Sequence, residues 1–315
     1  MKLFNFKYLS QDQLKRLESY KYAAIDTSPL STYVMHPFWN FCVEFVPMSI
    51  APNVLTLAGF ACTVSSALLL SYYDYYFLAS SESARNFIKP VPAYVWLISA
   101  INIFLAHTLD GIDGKQARRT KATGPLGELM DHGVDSWTAL FVPMFVYSFF
   151  GSSDFSFGPH RMLFVFWSVF LTFYITHWEK YNTGVLFLPW SYDVSQIFLL
   201  GCSIVTYLYS YKVWKSLVPV IGWPQSQLFE LILYRKCTVR YQRVVSHLII
   251  PFDREASTNI TINLSNFIQI LSEHLCYLAY AIIQCLHDIQ VRKVKILNIQ
   301  GNHKTTCSVH AFVSR

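Results

Sequence analysis

Between positions 109 and 137 the chain reads LDGIDGKQARRTKATGPLGELMDHGVDSW, which sets Asp110, Asp113, Asp131 and Asp135 beside Glu128, His132 and a run of basic side chains. Read as two helices on either side of a turn, these residues sort by face. At about 100° per residue, with Asp110 at the origin, Asp113 falls at about −60°, Gly114 at about +40°, Ala117 at about −20° and Arg118 at about +80°. Two carboxylates, two small residues and an arginine thus share one face. From Gly127 onward the same count brings Asp131, Asp135, Glu128 and His132 into an arc of about 140°. Residues 120–125 contain Gly124 and Pro125, which suit a tight turn between antiparallel helices.

Two facing pairs of carboxylates at the end of a helical hairpin suit hard divalent cations, because Mg²⁺ and Mn²⁺ take oxygen ligands and so many negative charges repel one another without them. The expectation is a site for two ions, with Asp110, Asp113, Asp131 and Asp135 as ligands. Such a pair holds a diphosphate and stabilises the attacking and leaving oxygens of an in-line displacement. Gly114 and Ala117 lack bulk, so a flat nucleotide can approach the backbone, and Arg118 offers phosphate a fork of donors. A single acid at a helix end is an ordinary solvated charge. Four at this spacing, separated by small residues in an apolar chain, are costly unless they serve a function. Lys115, Arg119 and Lys121 read equally well as anchors to anionic lipid headgroups or as part of the site.

The elements that must position these residues are membrane helices. Of 315 residues, 53% are hydrophobic, 17% aromatic and only 14% charged, against about a quarter charged in soluble domains. Five segments read as spanning or nearly so: 54–73, 91–109, 137–150, 162–177 and 194–211. About 20 residues cross about 30 Å of hydrocarbon, so the shorter segments need their flanks, and 137–150 gains its length if the polar turns before it continue the same helix. The first twenty or so residues break their apolar positions with charge, which argues against a cleavable signal peptide and for an amphipathic helix lying at the interface. Basic residues precede the first span and follow the second. By the positive-inside rule both the N-terminus and the acidic stretch therefore face the cytosol. Seven scattered cysteines signal neither a zinc site nor a disulfide framework.

Asp110-x-x-Asp113-Gly114-x-x-Ala117-Arg118 followed by Gly127-x-x-x-Asp131-x-x-x-Asp135 resembles the signature of the CDP-alcohol phosphotransferase family. The runs YVMHPFWN, APNVLTLAGF and HWEKYNTGVLFLPW are similar to the eukaryotic branch that uses CDP-ethanolamine. The resemblance covers roughly residues 10–214. It implies an all-α, polytopic helical membrane protein that transfers phosphoethanolamine from CDP-ethanolamine to diacylglycerol, releasing CMP. The aspartates would bind two Mg²⁺ or Mn²⁺ ions, and residues 114–118 with Gly127 would lie along the CDP-alcohol. Endoplasmic reticulum or Golgi membranes would house it, with the site facing the cytosol. Membrane lipid and a homodimer are compatible with the family, and no nucleic acid is implied. Asn53, in a Pro-Asn-x-x-Thr element, either contacts the nucleotide or caps a helix.

In the family pattern Asp135 fills the position often assigned to deprotonating the acceptor hydroxyl. His132 is the alternative base, with a resting pKa near 6.5 and Glu128 four residues earlier to orient its ring. That pairing is the preferred assignment here, since a metal-bound aspartate is a poorer base. The expected division is an interfacial segment 1–52, a catalytic membrane core 53–214 and a divergent region 215–315. A choline-using or dual-specificity enzyme, or a weakly active homologue with a scaffold role, are the competing functional readings. An ion transporter is disfavoured because the acids cluster at one hairpin end rather than across several spans.

Overall fold

In the computed structural model the two charged runs fall on consecutive antiparallel helices. The structure describes residues 10–249 apart from 19, 85, 153, 154, 157, 189, 190 and 220. The order is α1 (Gln11–Glu18), β1 (Ala24–Asp26), a π-helical turn Ser31–Met35 running into α2 (His36–Glu44), α3 (Pro52–Tyr73), α4 (Ala93–Arg119), α5 (Pro125–Phe150), α6 (Pro159–Thr183), β2 (Leu186–Leu188), α7 (Ser191–Tyr209) and α8 (Gln225–Ile249). The apolar run 264–286, both glycosylation sequons and Cys276, Cys285 and Cys307 lie outside the described residues.

All five apolar segments are helical. Three helices, Pro52–Tyr73, Ala93–Arg119 and Pro159–Thr183, are long and apolar enough to cross a membrane by length and composition. At about 1.5 Å per residue each exceeds about 30 Å of hydrocarbon. The segment 137–150 does extend backward through its polar turns: α5 runs unbroken from Pro125, with Pro143 inside it. Helix starts are set by proline at the first helical position after an extended residue, at Pro52, Pro125 and Pro159. Asn53 is therefore not a cap. The capping position of α3 is Ala51, and Asn53 lies inside the first turn.

Helix α4 packs on α3, α7 and α2, while α5 packs on α3 and α6. Away from the acids the core is aromatic, with Trp96 of α4 stacked on Phe149 of α5 at 4.9 Å between ring centroids and Phe145, Phe150 and Val165 buried around them. Asn102 spends its amide on Ser65 and Ser66 of α3, at 3.0 and 2.9 Å. At the acidic end, basic side chains fasten α4 to α2. Lys115 donates to Asn40 Oδ1 at 2.7 Å, and Arg119 donates to the carbonyls of Val43 and Val46 near the α2 C-terminus. Gln116, fully buried, donates to Pro47 O and Ile50 O in the link to α3. Lys115 and Arg119 thus serve helix packing, a role distinct from both sequence readings.

Helix α8 runs parallel to α6, since Arg161, Thr172 and Glu179 meet Glu230, Cys237 and Arg240 in ascending order. The two ion pairs are buried, so each charge depends on its partner to offset lost hydration. Arg240 also donates to Phe187 O of β2 at 3.2 Å. β2 pairs in parallel with β1, in the register Ala24 to Leu186 and Asp26 to Leu188, which straps the N-terminal segment across the acidic end.

Gly111, between two of the acids, is where α4 touches α2: a Cβ there would lie 2.1 Å from the indole of Trp39. That ring is buried and held edge-on between His36 and His107, at 5.3 and 5.4 Å, so it cannot swing aside freely. Gly111→Ala should destabilise the protein by about 1–3 kcal/mol through overpacking. Gly133→Ala, where a Cβ meets nothing within 4 Å, should instead gain up to about 1 kcal/mol of helix propensity. Thermal unfolding of both variants in detergent checks the contrast; equal melting temperatures would contradict it.

Candidate metal centre

The α4–α5 turn brings the acids together. α4 ends at Arg119, Lys121 takes a left-handed conformation at φ 56°, and Gly124 enters α5 extended, so the chain reverses within residues 120–124. Asp110, Asp113 and Asp131 then each offer a carboxylate oxygen, all within 4.8 Å of one another. Asp135, one turn further along α5, interacts electrostatically with Asp110 and Asp113 but lies outside that trio. Asp113 is buried and the other two are half-buried.

Asp110 and Asp113 are each oriented by a hydroxyl from another helix. Tyr192 of α7 donates to Asp110 Oδ2 at 2.7 Å, and Thr56 of α3 donates to Asp113 Oδ2 at 2.5 Å. Those bonds occupy one oxygen on each carboxylate and fix where the other points, as outer partners of metal ligands do. The tyrosine is held by its neighbour: Asp193 is bound by Ser31 and by His107 Nε2 at 2.8 Å. His107 is accordingly a buried structural contact. The donor set is all oxygen, suits Mg²⁺ or Mn²⁺, and offers no soft ligand.

The remaining expected residues lie on α3, α4 and α5. Among the described residues a Cβ at Gly114 would meet only the guanidinium of Arg118, at 3.8 Å, which leaves room for a ligand to approach the backbone there. Ala117 is half-buried one turn on, and Arg118 is exposed and close enough to Asp113 to interact with its charge. Asn53 of α3 reaches α5, its Oδ1 lying 3.7 Å from where a Cβ of Gly127 would stand. Asn53 and Gly127 therefore lie side by side where α3 meets α5.

Glu128 and His132 face α6. His177 Nδ1 lies 2.9 Å from Phe173 O, and because a carbonyl only accepts, that nitrogen carries the proton. A neutral His177 then has a bare Nε2, which accepts from His132 Nδ1. By elimination His132 Nε2 bears the lone pair; it is buried, has no hydrogen-bond partner among the described residues, and lies 3.7 Å from Glu128 Oε1. Glu128 is also ion-paired to Lys180 of α6.

Sequence reasoning missed Thr56, Tyr192, Asp193, His177, Lys180 and Tyr22. Lys180 Nζ rests 4.9 Å from the centroid of the Tyr22 ring, which interacts with Asp131, Arg118, Asp110 and Asp113. Desolvation, and then the charge of Asp131, push the Tyr22 hydroxyl up to about 12, so it stays protonated at neutral pH. His177 and Lys180 lie in HWEKYNTG, so four-residue spacing from Phe173 and Thr176 could have placed them on one end of a helix but not opposite Glu128.

A model of the CDP-alcohol phosphatidyltransferase family matches residues 49–223. The chain is 46% identical over 209 residues to Ethanolaminephosphotransferase 1 of Homo sapiens, covering 66% of this chain and 52% of that protein. It is 31% identical over 226 residues to Choline/ethanolaminephosphotransferase 1 of Saccharomyces cerevisiae (68% and 54%), and 35% over 216 residues to Cholinephosphotransferase 1 of Danio rerio (68% and 53%). The chain spans about half the length of the curated relatives it matches.

Metal affinity reads the site without reference to turnover. Asp113→Asn should abolish Mn²⁺ binding followed by electron paramagnetic resonance, and Tyr192→Phe should weaken it by about tenfold to a hundredfold through loss of the bond that orients Asp110. Wild-type affinity in Asp113→Asn would contradict the assignment.

Proposed function

The chain belongs to the CDP-alcohol phosphatidyltransferase family, and on that premise we propose that it transfers phosphoethanolamine from CDP-ethanolamine to the hydroxyl of diacylglycerol, giving phosphatidylethanolamine and CMP. The observation that carries this reading is the convergence of Asp110, Asp113 and Asp131 at the end of an open, glycine-lined helical hairpin. These three, with Asp135, would hold two Mg²⁺ or Mn²⁺ ions. The chemistry supplied by such ions is neutralisation of the diphosphate and of the charge on the departing oxygen. The similarity to Ethanolaminephosphotransferase 1 supports the ethanolamine headgroup.

The protein's own groups supply the rest. Gly114 and Ala117 admit the nucleotide against the α4 backbone, Asn53 and Gly127 bound its other side, and Arg118 donates to phosphate. His132 Nε2 takes the proton from the acceptor hydroxyl as that oxygen bonds to the phosphorus bearing ethanolamine. The bond from that phosphorus to the CMP oxygen breaks, and CMP leaves with the electron pair. The imidazolium then has its Nε2 proton facing Glu128 Oε1, whose charge offsets the one just formed. Asp135 would serve as a metal ligand. Residues 53–214 hold all of these groups, with 1–52 as an interfacial segment. The site faces the cytosol of the endoplasmic reticulum or Golgi, where CDP-alcohols are soluble reactants.

His132→Ala should lose at least about a hundredfold in kcat while CDP binding survives. Near-normal turnover in that variant, with only a higher substrate requirement, would move the base to Asp135. A membrane assay supplying each CDP-alcohol with diacylglycerol should show CDP-ethanolamine preferred; equal or greater use of CDP-choline would overturn the headgroup assignment.

A further inference from the structure

Tyr22 precedes the residues that the family model matches, and no motif in the chain marks it. Its position is nonetheless built. The β1–β2 pairing starts two residues later, and Leu186 N donates to Ala23 O at 2.9 Å, so the backbone immediately after Tyr22 is tied to the segment that follows α6. β2 is held in turn by Arg240 through Phe187 O. The strap cannot slide without breaking these bonds. It leaves the Tyr22 ring half-exposed, beside Asp131 and Arg118, with an ammonium group over its face.

That ammonium belongs to Lys180, which is also ion-paired to Glu128. Lys180 has a carboxylate partner and does not depend on the ring. A donor whose diphosphate lies at the acid trio carries its amine two carbons from the reacting phosphate, hence at the edge of the cluster, where this ring stands. An aromatic face attracts such a cation through its quadrupole, more strongly as the cation loses water. We propose that the face of Tyr22 forms one wall of the donor's headgroup pocket and takes the substrate ammonium in the place Lys180 holds here. The protonated hydroxyl suits this role, since it adds no further anion to a cluster already crowded with carboxylates. The inference rests on the reading that the donor is a CDP-linked amino alcohol.

The test compares two probes, CDP-ethanolamine and CDP, binding to the full chain in lipid–detergent micelles with Mn²⁺ and no acceptor. CDP lacks the headgroup and reports the nucleotide and metal contacts alone. Tyr22→Leu should weaken CDP-ethanolamine by about threefold to thirtyfold while CDP stays within about twofold, and Tyr22→Phe, which keeps the face, should leave both within about twofold. The proposal is overturned if Tyr22→Leu weakens both probes equally or neither, or if Tyr22→Phe loses as much as Tyr22→Leu. A wild-type protein that binds the two probes alike has no headgroup contact to lose and overturns it as well. The transfer assay stands apart: turnover with unchanged headgroup discrimination in Tyr22→Leu removes this inference and keeps the proposed reaction, whereas absence of transfer by the wild type removes the reaction.

Discussion

Three carboxylates with oxygens inside 4.8 Å repel one another, and the acidic end of this fold is organised around keeping them there. Repulsion of that kind is tolerated only if a cation neutralises it or if neighbouring donors hold each group in place. The structure supplies the donors from outside the hairpin. Thr56 comes from α3 and Tyr192 from α7, so the two acids of α4 are gripped from opposite sides. Asp131 arrives from α5 through a turn that needs a left-handed residue at Lys121 and an extended Gly124. Each of the three still offers a carboxylate oxygen toward the others, which is what a metal requires.

The outer contacts explain why so polar a cluster can sit at the end of membrane helices. Asp193 and His107 are buried against each other, and Ser31 binds the same carboxylate, so the N-terminal segment, α4 and α7 are tied at one point. On the other flank Phe173 O, His177 and His132 form a relay in which each hydrogen bond fixes the next tautomer, leaving a lone pair at His132 Nε2. α8 contributes at one remove. Arg240 binds Glu179, next to Lys180 and two residues from His177, and thereby sets the end of α6 that faces Glu128. α8 is therefore packed behind the site, although it adds no group to the acid trio.

Much of this was legible in the chain because helical periodicity is local. The spacing of Asp110 and Asp113 on α4 and of Asp131 and Asp135 on α5, with Gly124 and Pro125 between, was enough to bring the acids to one end. Gly114 was readable as open backbone for the same reason. Asn53 was not resolvable between cap and ligand, because proline at position 52 begins the helix two residues earlier than a cap at Asn53 would. Thr56, Tyr192, His177 and Lys180 were invisible as partners, since each meets the site across 45 or more positions of sequence or from a different helix, where periodicity carries no information. Tyr22 depends on a three-residue parallel strand pair, too short to announce itself by alternation.

The central claim is that the carboxylates at the hairpin end work on a CDP-alcohol only with a divalent cation present, and it can be tested by stoichiometry. Purified full-length protein in lipid–detergent micelles would be given CDP-ethanolamine and diacylglycerol after EDTA treatment, then Mn²⁺, with CMP and phosphatidylethanolamine both quantified. The account requires neither product in chelator and equal amounts of both once Mn²⁺ is restored. Products formed in chelator, or CMP released without phosphatidylethanolamine, would contradict it.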